Sequence, residues 1–357
     1  MLKATAALLA AAGIWLAASA IPDAAASTGF FGLTTAPPFD SRDIPKMRST
    51  GVRMLRVPLV WATIQPRRAS LQWGATDRLV GDLAARGIRP VPFVYGSPAW
   101  VAKQLQRPPL GSGTKVRAWR TFLTELVDRY GPGGAYWDGG YKQDHPGARA
   151  EPITAWQIWN EPNLRAFFPQ NRRSTRRYAK LVKISHDAIA AVDPRARIVL
   201  AGVVGYAQPT GWAFLRKLYA VKGIKRYFDV ASVHPYSATI GQFRTIISKV
   251  RRVMKAHHDG ATALWLTEVG WGSAHHTRRE PLNKGLRGQK RMLQRSFKLV
   301  LHKRRRWHVG RLFWFDWRDP IPGTRGGCGF CDSSGLLRHN HELKPSYHAF
   351  KRFARSD

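Results

Sequence analysis

Runs rich in β-branched and aromatic residues recur along the chain, and most are followed by a segment whose apolar positions have helical spacing. Such runs predict strands, and a period near 3.6 predicts amphipathic helices. The clearest helical patterns cover Lys115–Tyr130, Ser174–Val192 and Asn283–His302. The eight predicted strands are Gly29–Thr34, Arg53–Pro58, Ile88–Tyr95, Thr154–Asn160, Arg197–Val203, Phe228–His234, Leu264–Val269 and Arg311–Asp316.

This alternation of strand and helix predicts an α/β fold with a parallel sheet. Eight repeats favour closure into a (β/α)₈ TIM barrel, and the first unit lacks the glycine fingerprint of an open nucleotide-binding sheet. We find no linker or repeat that marks a second domain, so residues 27–357 are predicted to form one domain. The Gly-rich stretch Gly131–Ala150 precedes strand 4 and is predicted to be a loop on the N-terminal face.

The first residues have the pattern of an export signal. Lys3 is followed by the uncharged, Ala- and Leu-rich stretch Ala4–Ile21, with small-residue sites at 18–20 and 24–26. This pattern predicts a secretory signal over residues 1–26 that is removed by cleavage, and an uncleaved membrane anchor is the alternative. We therefore expect a secreted, extracellular protein.

The composition indicates a large hydrophobic core and a strong excess of positive charge. Hydrophobic residues make up 44% of the 357 residues and 14 are Trp, which excludes disorder as the main state. With 58 Lys and Arg against 22 Asp and Glu, the formal net charge is +36, which predicts attraction to an anionic surface or substrate. Only six residues are Glu, so the positions of the Glu residues are informative.

Two of the six glutamates follow or end predicted strands. Glu161 comes directly after strand 4, and Glu268 lies near the end of strand 7. Since TIM barrels carry their chemistry at the C-terminal strand ends, both are expected at the functional rim. A facing pair of carboxyl groups, one protonated and one ionised, is what cleavage of a glycosidic bond requires. The alternative is that each Glu is a structural partner of an arginine.

The motif Trp-Asn-Glu-Pro at 159–162, together with the later Glu268, resembles the clan A glycoside hydrolases. These are retaining (β/α)₈ enzymes with catalytic glutamates on strands 4 and 7. Tyr-Gly-Pro at 130–132, Gly-Leu-Leu at 335–337 and Lys-Pro-Ser-Tyr at 344–347 point to the family 39-related or family 5-like bacterial branches. The resemblance implies that Glu161 is the acid/base, that Glu268 is the nucleophile and that Asn160 hydrogen-bonds the sugar 2-hydroxyl.

Five further positions match the same pattern. The resemblance implies that Arg56 keeps Glu268 ionised, that Tyr236 orients it and that His234 lines the subsite. Trp314 is expected as the platform under the sugar ring and Trp271 as a second wall, because aromatic faces suit the apolar face of a sugar. An ion-paired arginine, a structural histidine and core aromatics are the alternatives for these positions.

One feature departs from family 5. Many members carry a His after strand 3, whereas here strand 3 ends in Tyr-Gly-Ser-Pro-Ala-Trp at residues 95–100. This difference favours a family 39-like or unclassified branch. Tyr95 and Trp100 are candidates for lining the cleft instead.

Cys328 and Cys331 form Cys-Gly-Phe-Cys after strand 8. In an exported protein this predicts a small-loop disulfide, while a redox motif lacks its usual strand–helix context. A zinc site with His339 and His341 is the other alternative, but their spacing does not fit the common pattern. We predict no metal and no cofactor.

The basic clusters at 172–177, 251–252 and 303–306 are predicted to lie on the outside of the barrel. They are either a solvated exterior or an adhesive surface for an anionic cell-wall polysaccharide, uronic glycan or lipid surface. No nucleic-acid-binding motif is present, so nucleic acid is not expected as a partner. Some charge is predicted to face the substrate from loops after strands 4, 7 and 8, at Arg165, Arg278, Arg279, Arg318 and Arg325.

Taken together, the sequence predicts a secreted, monomeric, retaining glycoside hydrolase that acts on an oligo- or polysaccharide, which is anionic if the basic loops face it. Two alternatives keep the same fold. One is a transglycosylase that uses the same residues, and the other is a catalytically silent glycan-binding protein held at an anionic surface. The sugar, the linkage and endo or exo action are not specified by these patterns.

Overall fold

The computed structural model describes residues 29–35, 40, 42–322, 324 and 328–356. The predicted signal segment, residues 1–26, and Arg325 lie outside the described residues, so these two predictions stay predictions. Among the helices that are described, none combines the length and the apolar character needed to cross a membrane.

Eight parallel strands form a closed barrel, as predicted. Neighbours in sequence are neighbours in the sheet, β1 pairs with β8, and the ring closes where Val199 of β5 pairs with Val230 of β6. β5 is interrupted and continues as Val203–Val204, which also pairs with β6. The strands are β1 Phe31–Thr34, β2 Met54–Val60, β3 Arg89–Tyr95, β4 Ala155–Ile158, β5 Arg197–Leu200, β6 Val230–His234, β7 Ala263–Val269 and β8 Val309–Phe315.

One main helix follows each strand, so the (β/α)₈ order is complete in the described residues. Short helices at Trp61–Ile64, Ala135–Asp138 and Gly140–Asp144 and single 3₁₀ turns at Ile224–Tyr227 and Cys331–Ser333 lie in the connections. The main helices are α1 Asp43–Ser49, α2 Gly74–Ala85, α3 Gly113–Tyr130, α4 Ser174–Ala190, α5 Gly211–Tyr219, α6 Ile240–Ala256, α7 Gly285–Trp307 and α8 Pro345–Arg355.

The stretch Gly131–Ala150 is not the plain loop that its composition predicts. It contains two of the short helices, and their aromatic side chains pack on the end of α3: the Tyr136 ring lies 5.6 Å from that of Tyr130, and Trp137 and Tyr141 lie 5.1 Å apart. Buried aromatic area stabilises these short turns although the sequence is rich in glycine. The prediction was wrong because tertiary packing outweighed local propensity.

The barrel interior has an apolar lower layer and a polar upper layer. The lower layer is closed by six buried side chains, those of Met54, Val91, Val199, Val230, Trp265 and Phe313. Buried polar side chains lie one layer higher: Arg56, Ser232 and Thr267 each follow a lower-layer residue by two positions, and Gln157 follows Ala155, which packs against that layer. Since strand side chains alternate in direction, these residues share the interior and form the floor on which the candidate site rests.

Candidate active site

Glu161 is carried by an unusual turn after β4. The chain passes through two left-handed residues, Trp159 (φ 73°) and Glu161 (φ 37°), and both side chains are buried. A non-glycine residue in this conformation costs about 1–3 kcal/mol and persists only where the surroundings enforce it, most often at functional sites. The backbone at Glu161 therefore has the character of a functional turn.

Glu268 lies in β7 at a point where the strand register is irregular. The pairing of β7 with β8 shifts between Leu266 and Val269. In a regular strand, Thr267 and Glu268 would point to opposite faces. Here Thr267 contacts Ser232 in the interior and Glu268 bonds Arg56, also in the interior, so the irregularity lets both neighbours reach the site.

The two glutamates meet at His234. Nδ1 of His234 lies 2.7 Å from Oε1 of Glu161 and 3.4 Å from Oε2 of Glu268, and the ligand atoms of the three residues lie within 4.8 Å of one another. Nε2 of His234 lies 2.9 Å from Oγ1 of Thr267, which fixes the ring from the other side. A Cβ at Gly202 would overlap the imidazole, so glycine at that position makes room for it.

His234 is fully buried, at 0% exposure. The prediction that it lines the sugar subsite is therefore wrong. Its ring lies beneath the two carboxyl groups, because β6 directs it into the barrel, and it acts on the site by holding Glu161 and Glu268 in place.

Arg56 donates to three acceptors from the polar layer of the barrel. Nη1 bonds Oε1 of Glu268 at 2.7 Å, Nη2 bonds Oδ1 of Asn160 at 2.8 Å, and Nε bonds Oε1 of Gln157 at 2.5 Å. The guanidinium lies 3.9 Å from the ring centre of Phe93 and is fully buried. The predicted contact with Glu268 is present, and the same guanidinium also fixes the orientation of Asn160.

Tyr236 donates its hydroxyl to Oε2 of Glu268 at 2.7 Å, so both oxygens of that carboxylate accept a hydrogen bond. Burial pushes the pKa of Glu268 upward, but the charges of His234 and Arg56 and the bonds from Tyr236 and Arg56 outweigh it. The pKa of Glu268 therefore lies below its ordinary value. The predicted contact of Tyr236 is also present.

Glu161 has the opposite shift. Burial raises its pKa, and the bond and charge of His234 only partly offset this, while the carboxylate of Glu268 raises it further. One site thus holds a carboxyl group whose pKa lies above its ordinary value beside one whose pKa lies below it. This division suits an acid/base and a nucleophile acting on one bond.

A family sequence profile described as the glycosyl hydrolase catalytic core matches residues 134–350, which include both glutamates. The chain belongs to this family. A comparison with curated proteins finds no match.

Solved structures share the fold of this glycosyl hydrolase. A family 39 glycoside hydrolase from Bacteroides cellulosilyticus WH2 is 20% identical, with a TM-score of 0.64 over 91% of this chain and 63% of the other. A monomeric β-xylosidase from Caulobacter crescentus CB15 is 18% identical, with a TM-score of 0.66 over 91% and 68%. A family 5 enzyme from Streptomyces cattleya, solved with Manβ1-4GlcNAc, is 16% identical, with a TM-score of 0.66 over 92% and 80%. The chain spans about two thirds of the length of the first two.

Two tryptophans of this glycosyl hydrolase that were predicted to line the sugar site, Trp314 and Trp271, lie outside it. Trp314 is fully buried and its ring lies 6.2 Å from that of Phe297 in α7, in the layer between barrel and helices. Trp271 is also fully buried, packs against Phe243 of α6 and donates Nε1 to the Ser237 carbonyl at 2.7 Å. Neither ring has a face free for a sugar, so both predictions are wrong.

The alternation of β8 explains the error at Trp314. Phe313 lies in the lower layer of the barrel, so Trp314 must point outward and Phe315 inward again. Phe315 lies at the rim, 6.2 Å from Tyr236 and 6.3 Å from Phe330, measured between ring centres. Phe315 therefore occupies the place that the sequence analysis assigned to Trp314.

Phe330 comes from the loop closed by the disulfide between Cys328 and Cys331, which confirms the predicted pairing. Its ring lies 4.9 Å from that of Tyr236, the residue bonded to Glu268. A Cβ at residue 329 would overlap the Glu280 carboxylate, so the glycine between the cysteines lets the loop approach. The sequence analysis treated this loop as a structural staple, and only its position after β8 hinted at the site.

Tyr95 and Trp100 have different surroundings. Tyr95 is half-buried and its ring stacks on that of Phe93. Phe93 also contacts the guanidinium of Arg56, so Tyr95 adjoins the site. Trp100 donates Nε1 to the Gln65 carbonyl at 3.0 Å and lines a separate groove. Of these two candidates, only Tyr95 is placed near the glutamates.

Two clusters in the described residues bring together groups that can bind a metal ion. One is the set of Glu161, His234 and Glu268, and the other is Asp40, Asp43 and His341. In each, an arginine already pairs with a carboxylate, Arg56 with Glu268 at 2.7 Å and Arg318 with Asp43 at 2.9 Å. These pairs offset the carboxylate charge that would attract a cation.

The arginines that were predicted to face the substrate differ in their exposure and in their partners. Arg318 is held by Asp43 and lies with 17% of its side chain exposed, so it serves the structure of the rim. Arg165, Arg278 and Arg279 are exposed in the loops after β4 and β7. That these three face the substrate stays a prediction.

Proposed function

We propose that this glycosyl hydrolase is a secreted glycosidase that cleaves O-glycosidic bonds with retention of anomeric configuration. The observation that carries the proposal is the close, oppositely shifted pair Glu161 and Glu268, whose oxygens approach within 4.8 Å. Retaining enzymes hold their carboxyl groups about 5–5.5 Å apart, whereas inverting enzymes leave about 6.5–9.5 Å for a water molecule. The short separation supports retention.

In the first step, an oxygen of Glu268 attacks the anomeric carbon while the bond to the leaving oxygen breaks. Glu161 gives its proton to that oxygen, which departs as an alcohol. Arg56 and Tyr236 hold Glu268 ionised and oriented for this attack. The product of the step is a glycosyl ester on Glu268.

In the second step, the ionised Glu161 takes a proton from water, and the water oxygen attacks the anomeric carbon. The ester bond to Glu268 breaks, and Glu161 is again protonated. His234 touches both carboxyl groups and thus keeps them at a fixed separation through the cycle. Two displacements at one carbon restore the original configuration.

Asn160 has a binding role in this proposal. Its Oδ1 is held by Arg56, so the amide nitrogen is the end that remains to donate to a sugar hydroxyl. A hydrogen bond to the 2-hydroxyl that strengthens in the transition state would lower the barrier. Aromatic surface near the site is supplied by Phe315 and Phe330, which contact Tyr236, and by Tyr95, which stacks on Phe93.

Secretion is part of the proposal. The disulfide between Cys328 and Cys331 fits an oxidising location, as does the apolar segment after Lys3. Expression with the native N-terminus, followed by mass analysis of medium and membrane fractions, tests this directly. A mature chain in the medium beginning near residue 27 is the expected result, and full-length protein held in the membrane would favour the anchor.

The test of activity is a panel of neutral and acidic polysaccharides with wild type and Glu268→Gln side by side. We expect turnover by the wild type only, and NMR of the first product should show the anomer of the substrate. The opposite anomer would contradict retention. Turnover that gives new glycosides without reducing ends would indicate a transglycosylase, and binding without any turnover would indicate the silent glycan-binding protein.

The role of Glu161 has its own test. On a natural glycoside, Glu161→Gln should lower the rate by about 10²–10⁴-fold, because the leaving oxygen needs a proton. On a dinitrophenyl glycoside, whose leaving group departs as an anion, an initial burst of phenolate should survive. Glu125→Gln, an exposed glutamate on α3, is the control and should leave both rates unchanged. If Glu161→Gln is slow on the natural glycoside and also shows no burst on the dinitrophenyl glycoside, the assignment of Glu161 as acid/base is overturned.

A further inference from the structure

A basic groove runs along the outer wall of the barrel between α4 and α5. Its volume is about 1260 Å³. One wall carries Arg173, Arg176, Lys180 and Lys183, and the other carries Lys217 and Lys222. The lining also includes a seventh cation, Arg172, with further polar and apolar residues but no acidic side chain. We call the six cations of the two walls and the surface between them the α4–α5 groove.

The cations of α4 form a stripe. Arg173, Arg176, Lys180 and Lys183 are three or four residues apart, which places them on one face of the helix over about 15 Å. Like charges at these spacings destabilise a helix. The arrangement therefore lowers the stability of the helix. An anionic partner bound along the stripe would offset this repulsion.

The groove cations differ from several other cations of the described residues because no carboxylate pairs with them. The acidic residue of α4, Asp187, lies four residues after Lys183 on the same exposed face, but it is not part of the groove lining and pairs with Arg120 of α3 at 3.7 Å. Among the described residues, no ion pair involves any of the six groove cations, whereas Arg89, Arg129 and Arg338 each pair with a carboxylate. The groove is thus a concave cationic surface whose charge is not neutralised by the protein.

The upper end of the groove reaches the rim beside Glu161. Gln170, which lines the groove, donates Nε2 to the carbonyl of Pro162 at 3.0 Å, and Pro162 follows Glu161 directly. Pro209, from the loop after β5, forms the opposite edge. A polymer chain that crosses the catalytic rim beside Glu161 can therefore continue down the groove.

We propose that the α4–α5 groove binds a polysaccharide that carries carboxylate or sulfate groups, and that it extends the substrate cleft. The inference rests on the proposed function for the identity of the polymer, since the groove opens next to the carboxyl group assigned as acid/base. The cationic stripe provides affinity through the charged groups of the polymer rather than through its sugar rings. Its one aromatic lining residue, Phe214, is buried, so the stacking surface typical of single-stranded nucleic-acid sites is lacking among the lining residues.

The test compares two matched triple variants in the Glu268→Gln background, so that binding is measured without turnover. The groove variant carries Arg176→Gln, Lys180→Gln and Lys183→Gln. The control carries Arg291→Gln, Arg295→Gln and Lys298→Gln, three exposed cations with the same spacing on α7. Glutamine has a helix propensity close to that of lysine and arginine, so both helices should persist.

The probes are polygalacturonate, dextran sulfate, neutral dextran and duplex DNA, each at low and high NaCl. We expect the groove variant to bind one or both acidic polysaccharides about tenfold or more weakly than the control at low salt, with a shallower salt dependence. Neutral dextran should not distinguish the variants. Equal loss in both triples, or no loss in either, would overturn the proposal, as would tighter groove-dependent binding of DNA than of either polysaccharide.

The outcome is separable from that of the proposed function. If the wild type hydrolyses no glycan but the groove variant alone loses polysaccharide binding, the glycosidase proposal fails and the groove stands as a binding site. If the wild type hydrolyses glycans but the two triples bind alike, the groove proposal fails and the glycosidase stands.

Discussion

Arg56 and Glu268 form a buried ion pair at 2.7 Å, with the arginine fully enclosed by the barrel. The same guanidinium bonds Gln157 and Asn160, so it links Glu268 to the motif that carries Glu161. A buried charge with three hydrogen bonds is stable only while all its partners remain. The geometry of the pair is therefore a property of the barrel interior and not of the loops.

The first prediction concerns this pair. Arg56→Lys keeps the charge but loses the fork that reaches three acceptors, so we expect kcat/KM to fall about 10²-fold through misplacement of Glu268 and Asn160. Steady-state kinetics on the substrate found in the glycan panel measures it. Arg53→Lys, just before β2 and outside the network, is the control. Equal kinetics for both variants would show that the network does not position the nucleophile.

The second prediction concerns pH. The hydroxyl of Tyr236 helps to hold the pKa of Glu268 below its ordinary value, and only the ionised carboxylate is a nucleophile. Tyr236→Phe removes that bond, so the acidic limb of the kcat/KM profile should move to higher pH by about half a unit to one unit. The alkaline limb, which reports Glu161, should stay in place. A shift of the alkaline limb alone would contradict the assignment of the two carboxyl groups.

The third prediction concerns stability. Because burial raises the pKa of Glu161, its folded form binds the proton more tightly than the unfolded chain does. That contribution to stability is complete below the unfolded pKa and is lost as pH rises through the folded pKa. At a pH above the alkaline limb of the kcat/KM profile, where Glu161 is ionised, Glu161→Gln should therefore raise Tm by about 2 °C while activity is lost. Calorimetry should show the difference shrinking in acid, whereas Glu125→Gln should change Tm at neither pH.

The sequence was sufficient for the barrel and for the centre of the site. Eight repeats of strand and helix favour one closed sheet, and the resemblance identified Glu161, Glu268 and Arg56 by motif rather than by geometry. The elements themselves follow from local periodicity, which a single sequence displays. Contacts between the predicted residues then follow from closure, since every strand end meets the same rim.

The wrong predictions concern residues whose place in the structure depends on the direction of the side chain. Whether Trp314 or Phe315 faces the cleft depends on which residues of β8 fill the barrel, and a shift of one position exchanges the two faces. The burial of His234 depends on the space left at Gly202, a residue of another strand. The α4–α5 groove likewise forms between segments more than twenty residues apart. None of these relationships is encoded in a local pattern.

The last prediction concerns the loop that carries Phe330. The disulfide between Cys328 and Cys331 closes this loop, and the Phe330 ring packs on Tyr236 at 4.9 Å. If the ring forms a wall of the sugar site, releasing the loop should weaken substrate binding more than it slows chemistry. We expect Cys328→Ser combined with Cys331→Ser to raise KM about three- to tenfold, in the range of one aromatic contact, with a smaller change in kcat.

Phe330→Leu should reproduce the rise in KM, because it removes the aromatic face and leaves the disulfide. Treatment of the wild type with a reductant should give the same rise, while the double serine variant should be insensitive to it, which controls for effects of the reductant elsewhere. A loss of Tm with KM unchanged in all three experiments would show that the loop only stabilises the fold. A rise in KM that depends on Phe330 but not on the disulfide would show that Glu280 and the surrounding packing alone hold the loop in place.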